Sequence, residues 1–165
     1  MKVFGIAGHS GMGKTTLLER LVPEIASRGL VVSLIKHSHK SIDIDRPGKD
    51  SHRLREAGCM EVLLLGSERW ALMHELRGAS EPPLEYILDR MQDCDLVLIE
   101  GFKSGGFPKL EVWRASEGRG TLWPEWPGIV GIACDSVLPF EELPSIDLTD
   151  IRSIASFVLD NAVER

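Results

Sequence analysis

The segment GHSGMGKTT, running from Gly8 to Thr16, satisfies the pattern G-x-x-x-x-G-K-[ST], with Gly8, Gly13, Lys14 and Thr15 in the fixed places. A loop that wraps an anion must curl until successive backbone N–H groups converge, and only glycine combines the φ angles and the close approach this needs. Such a loop leads from a strand into a helix, whose N-terminus adds the positive end of its dipole to the anion site. Both flanks agree. The apolar run Val3 to Ala7 precedes the loop, and Leu17, Leu18, Leu21, Val22 and Ile25 follow it at helical spacing. In this arrangement Lys14 reaches the β- and γ-phosphates of a nucleotide, and Thr15 gives its hydroxyl to Mg²⁺. The plain alternative is a chance match in an ordinary strand–loop–helix connection, which leaves both flanks as coincidence.

The chain of 165 residues is long enough for one domain with a core of its own, and its apolar and charged fractions are those of a soluble globular protein. A single nucleotide-binding domain spanning 1–165 is therefore expected. Cys59, Cys94 and Cys134 are odd in number and far apart, which suits reduced thiols in the cytoplasm. No apolar run approaches the ~20 residues of a membrane span, and Met1 leads at once into a strand without the regions of a signal peptide. The net charge of −6 argues against non-specific binding of nucleic acid. That charge is uneven: Lys36 to Glu56 is +2 and holds three of the five histidines, leaving −8 for the rest.

In order, Val3 to Ala7 reads as a central parallel strand and Leu17 to Ile25 as a helix interrupted by Pro23, with Gly29 as its stop. Leu30 to Ile35 is a second strand. The next stretch, KHSHKSIDIDRPGKDSHRLREAG, loses apolar periodicity for about twenty residues, a length that is usually functional or disordered within a compact domain. It admits a metal site from His37 and His39, a solvated charged loop, or a loop facing phosphate and Mg²⁺ beyond the end of a strand. Asp50 and Ser51 also suit the cap of a helix over Arg53 to Ala57. Glu61 to Leu65 and Trp70 to Leu76 form a hairpin pattern around Gly66.

Ser80 to Pro83 reads as the start of a helix, with Leu84, Ile87, Leu88 and Met91 spaced for one buried face, and then comes DLVLIEG, an apolar strand that ends in Glu100. In a phosphate-loop protein such an acid holds Mg²⁺ or orients an attacking water, so Glu100 is the candidate catalytic residue. Lys109 to Trp126 alternates apolar and polar side chains, turns at Ser116 to Gly120 and contains three of the four tryptophans. It reads as an inserted β-hairpin with a return strand at Thr121 to Trp123, and exposed hairpin edges suggest an interface with a second copy. Gly128 to Cys134 is the last parallel strand. A final helix starts at Asp147 or Thr149.

Together, GHSGMGKTT, KHSHKSIDIDRPGKDSHRLREAG and DLVLIEGFKSGGFPKLEV resemble the molybdopterin-guanine dinucleotide biosynthesis protein B family, in the family's order and over roughly the first two thirds of the chain. The resemblance implies an α/β P-loop NTPase fold of three layers, built on a mostly parallel sheet with an inserted β-hairpin. It also implies a homodimeric, GTP-binding adapter of molybdenum cofactor biosynthesis, working with the transferase that joins GMP to molybdopterin. By the same resemblance Gly8, Gly11, Gly13, Lys14, Thr15 and Thr16 hold phosphates, with Ser10 and Met12 as intervening loop residues. Thr15 with Asp50 or Glu100 holds Mg²⁺. The basic groups Lys36, His37, Arg46, Lys49 and Lys103 suit a second anion, such as the phosphate of molybdopterin.

Familiar guanine readers use N-K-x-D or T-K-x-D, yet the only asparagine here is Asn161 and no Thr precedes a Lys. Asp135, directly after the last parallel strand, is the positional substitute. The sole glutamine, Gln92, lies before the Glu100 strand, and Arg46, Arg53 and Arg55 are the candidate arginine fingers. At most a weak GTPase is expected. A stand-alone P-loop small-molecule kinase is the alternative, since it would use the same loop.

Overall fold

In the computed structural model the residues described are 1–38, 42, 44–136, 138 and 142–165; His39, Lys40 and Asp43 of the long basic stretch lie outside them. The elements in chain order begin with β1 (Lys2–Ala7), α1 (Lys14–Ser27), β2 (Val32–Lys36), α2 (Asp50–Glu56), β3 (Glu61–Leu65), β4 (Trp70–His74) and α3 (Leu84–Leu88). They continue with β5 (Leu96–Glu100), β6 (Lys109–Trp113), β7 (Ile129–Cys134), β8 (Ser145–Asp147), α4 (Ile151–Asn161) and β9 (Val163–Glu164). The chain divides into two compact units, one of residues 1–38 and 92–165 and the other of residues 39–91.

The first unit is built on a sheet in the order β2-β5-β1-β6-β7-β8, parallel throughout, with β9 antiparallel to the start of β1. β1 and β5 are buried along nearly their whole length, as apolar strands covered on both faces must be. The apolar stripe of α1 (Leu17, Leu18, Leu21, Ile25) and that of α4 (Ile154, Ala155, Val158) share one core with Phe4, Ile6, Leu98, Leu110, Val112 and Ala133. Neighbouring residues of β7 point the other way. Ile132 and Cys134 join Leu138, Trp113, Trp123 and Leu143 on the opposite face. Pro23 lies inside α1 without ending it, and the helix closes where Gly29 adopts φ +85°.

The segment 109–126 differs from the expected hairpin. β6 is an inner strand of the main sheet, parallel to β1 on one side and β7 on the other, so its backbone offers no free edge. Thr121 to Trp123 form no return strand. The N–H groups of Leu122 and Trp123 donate instead to the Glu111 carboxylate, at 2.6 and 3.0 Å, and a buried side chain takes the place of a ladder. Lys109, also fully buried, donates to the carbonyls of Gly105, Phe107 and Pro127. The dimer surface expected on 109–126 loses its physical basis with the hairpin.

α4 starts later than the sequence suggests. Asp147 is occupied by the N–H and hydroxyl of Thr149, and Asp150 caps the helix by accepting from Ser153 N.

In the second unit β3 and β4 pair antiparallel around Gly66, the hairpin inserted into this fold. Asp50 is the first residue of α2 rather than its cap, and Lys49 precedes it without a side-chain cap bond. Arg55 is locked: it grips Asp45 at 2.7 and 3.2 Å and Glu75 at 2.6 Å, with Asp45 buried. This fork of hydrogen bonds keeps the Asp45 carboxyl below its usual range, and it removes Arg55 from the candidate fingers.

Candidate functional site

The motif at Gly8 to Thr16 forms the turn from β1 into α1 that its glycines require. Gly13 is the N-cap of α1 with φ +89° and ψ +22°, a left-handed conformation that side chains other than glycine's resist. Gly8 has φ +139°, and a methyl group on it would stand 2.6 Å from the Val112 carbonyl oxygen of β6. The loop is thus pressed against its neighbouring strand. Met12 sends its side chain into the core, fully buried, so only its backbone faces the loop's concavity or its rim. Ser10 and Gly11 are exposed, as are Thr15 and Thr16 in the first turn of α1.

Lys14 folds back over the loop and donates to the carbonyls of Gly8 and His9, both at 2.9 Å. Burial lowers its pKa; nearby Glu100 opposes the shift and Lys36 adds to it. These three charges come together because β2, β5 and β1 are adjacent, with Lys36 and Ile6 both in register with Glu100. Glu100 ends β5, is almost buried, and pairs with the half-exposed Lys36 at 3.3 Å.

Just beyond, His37 N donates to Glu100 O at 2.9 Å, and the His37 and Phe102 rings lie 4.4 Å apart at 36°. Phe102 holds φ +54°, a strained value for an aromatic residue, and Lys103 after it is exposed. Lys14, Lys36, His37, Glu100 and Lys103 therefore share the C-terminal edge of the sheet, where open α/β sheets bind ligands. Arg46, Lys49 and Asp50 belong to the second unit. Arg46 and Lys49 are exposed, and Asp50 carries only a long contact of 3.9 Å to Arg53.

On the other side of the loop, Asp135 follows β7 and pairs with Arg114 at 3.0 Å. Arg114 follows β6, and its Nε donates to Met12 O of the loop at 3.2 Å. Its guanidinium lies 3.4 to 3.9 Å from where a Gly13 Cβ would be, and the Glu117 carboxylate lies 3.6 Å from the same point on Gly11. His9 Nε2 lies 3.2 Å from Gly120 O. Sequence reasoning placed Asp135 but missed Arg114, because a hairpin at 109–126 puts Arg114 near a turn. Its position directly after a strand was the signal available. Gln92 precedes β5, at the end of that strand opposite Glu100.

A glycine-shaped loop at a helix start, a lysine folded over it and a carboxylate on the adjacent strand end make an arrangement suited to a polyphosphate with its cation. Residues 3–135 match the family described as Molybdopterin guanine dinucleotide synthesis protein B. A molybdopterin-guanine dinucleotide biosynthesis adapter protein of Escherichia coli (strain K12) is 36% identical over 163 residues, covering 96% of this chain and 91% of the relative. The protein of that name from Haemophilus influenzae is 40% identical over 159 residues, covering 94% and 86%. A solved structure of molybdopterin-guanine biosynthesis protein B superposes with a TM-score of 0.76 at 25% identity, covering 96% of this chain and 98% of that one. The phosphate-loop architecture and the match over most of its length make this chain a member of the molybdopterin guanine dinucleotide synthesis protein B family.

Proposed function

We propose that the chain is a GTP-binding adapter in molybdenum cofactor biosynthesis, assisting formation of molybdopterin guanine dinucleotide beside the guanylyltransferase that performs the transfer. The observation that carries this is Lys14 folded over the Gly8 and His9 carbonyls within a family whose relatives are named for that pathway. Gly8, Ser10, Gly11, Met12, Gly13, Lys14, Thr15 and Thr16 would hold the phosphates. The Thr15 hydroxyl and Glu100 carboxylate are hard oxygen donors of the kind Mg²⁺ takes, and the cation would neutralise charge between the β- and γ-phosphates. Glu100 is favoured over Asp50 because its strand adjoins β1. Lys36, His37 and Lys103 supply positive charge or donors for a second anion such as the phosphate of molybdopterin. Arg46 and Lys49, in the second unit, are proposed as anion ligands on their charge alone.

Hydrolysis by the chain alone is proposed to be slow. Arg55 is committed to Asp45 and Glu75, and Gln92 precedes the far end of β5. Lys14→Ala is expected to weaken GTP binding about 100-fold or more while lowering stability by no more than about 1 kcal/mol in urea unfolding, from the loss of its two part-buried hydrogen bonds, and Glu100→Gln to weaken the Mg²⁺ dependence of binding. Turnover at saturating GTP, with and without molybdopterin and the transferase, separates an adapter from a kinase. Phosphoryl transfer by the chain alone on the order of 1 per second or faster would overturn the adapter reading.

A homodimer is proposed through the β3–β4 hairpin in place of segment 109–126. Leu63, Leu64, Leu65, Trp70 and Leu72 are all exposed there, and a two-stranded sheet is marginal unless something packs on it. A second copy brings the same free edge and the same leucines, the self-complementarity a two-fold interface needs. Sedimentation of the wild-type chain as a monomer at micromolar concentration would remove it. The free thiols of Cys59, Cys94 and Cys134 suit the cytoplasm, and no described helix is long and apolar enough to cross a membrane.

A further inference from the structure

We infer that Arg114 and Asp135 act as a pair that reads the base of the nucleotide, replacing the asparagine, lysine and aspartate of the missing N-K-x-D motif; the inference rests on the proposal that the loop binds GTP. The two residues follow neighbouring parallel strands, β6 and β7, on the side of the phosphate loop away from Glu100. Nη1 of Arg114 donates to Oδ2 of Asp135 at 3.0 Å, and Nε donates to Met12 O at 3.2 Å, so Arg114 is fixed to the loop and Asp135 to Arg114. About a third of each side chain is exposed. Among the described residues neither Nη2 of Arg114 nor Oδ1 of Asp135 makes a hydrogen bond. The pair is held by some of its atoms and presents the others.

What it presents is a donor beside an acceptor. Guanine offers the complement, with O6 and N7 as acceptors next to the N1–H and N2–H₂ donors, and arginine is the side chain that most often meets O6 and N7. Oδ1 of Asp135 would accept from N2, and Oδ2 from N1 through the lone pair that Arg114 leaves free, while Nη2 of Arg114 donates to O6. Adenine sets its N6 amino group against the guanidinium and its N1 lone pair against the carboxylate, so both contacts turn repulsive. A polar site built for one hydrogen-bond pattern rejects the base lacking it far better than an apolar pocket does. Attachment of Arg114 to Met12 O also means that the reader moves with the loop that holds the phosphates.

The test measures dissociation constants of the full chain for GTP, ATP, ITP and XTP in Mg²⁺, together with the thermal midpoint of each variant. Wild type should prefer GTP over ATP and over ITP, which lacks the 2-amino group. Arg114→Met should reduce the GTP-to-ATP preference at least tenfold, and Arg114→Lys should recover it only in part, because lysine keeps the charge but loses the planar fork. Asp135→Asn should move preference from GTP toward XTP, since an amide N–H₂ can donate to the 2-oxo group of xanthine. Equal weakening of GTP and ATP by Arg114→Met, or no gain for XTP in Asp135→Asn, would reduce the pair to a structural tie and overturn the inference while GTP binding stood. A wild-type chain with no preference for GTP over ATP would overturn the inference and the GTP reading together.

Discussion

β6 and β3 are strands of five residues with opposite chemistry and opposite fates. KLEVW, with a lysine and a glutamate, is buried almost throughout; EVLLL, with three leucines, leaves Leu65 79% exposed. The polar strand is inside because each of its charges has a complete set of partners there. Lys109 has three carbonyls for its three donors, and Glu111 has two N–H groups for its carboxylate. The apolar strand has one partner strand and few neighbours on its faces. Burial therefore follows from what the rest of the chain supplies, and the two strands set opposite demands: β6 is self-sufficient, and β3 asks for another surface.

The comparison breaks most directly at Lys109. Lys109→Met fills similar space but takes the donor from three carbonyls, that of Phe107 buried and those of Gly105 and Pro127 partly so, and a loss of about 3 kcal/mol is expected in urea unfolding. Glu111→Ala should cost about 2 kcal/mol by leaving the N–H groups of Leu122 and Trp123 without their acceptor. Either variant unfolding at the wild-type midpoint would show that water replaces the lost partner. On the hairpin the expectation inverts: Leu65→Lys should change the stability of the isolated protomer by no more than about 0.5 kcal/mol while shifting sedimentation toward monomer. A larger loss of stability would mean that the leucine is packed within its own chain.

The smallest effect sharpens the contrast through pH. Burial pushes the Glu111 carboxyl up, against its two N–H donors, whereas Arg55 holds Asp45 down. A raised carboxyl binds protons better in the folded state, so wild type should lose stability relative to Glu111→Gln as pH rises above the ordinary glutamate value of about 4.3. A lowered carboxyl does the reverse. Wild type should lose stability relative to Asp45→Asn as pH falls below about 3.9. Urea midpoints of the three proteins across pH 3 to 7 check both slopes, and parallel profiles would show that neither group is perturbed.

Much of the fold was legible where local pattern and local need coincide. β1, the loop and α1 follow from glycine spacing and an apolar stripe, and β5 follows from four apolar residues before Glu100. β6 was not legible in its true place. Alternating charge and apolar side chains describes an exposed hairpin arm equally well, and the carbonyls that satisfy Lys109 come from Gly105 and Pro127, which no pattern around Lys109 announces. β8 and β9, of three and two residues, are too short to carry a period. At the site, Lys14, Glu100 and Asp135 were visible from motif or strand end. Arg114 was hidden by the misplacement of its strand, and the commitment of Arg55 by a partner ten residues back at Asp45.

The sheet order also fixes a sequence in time. β1 has β5 and β6 as its parallel neighbours, and both are synthesised after the whole of residues 39–91. The strand that launches the phosphate loop must wait for them, while β3 and β4, four residues apart, can zip together on the microsecond scale of hairpins. A half-made chain thus presents its leucine-rich hairpin before it has a sheet. Until residue 96 and those after it emerge, the apolar faces of β1 and α1 are uncovered as well, because β5 and β6 complete the sheet and the core they share.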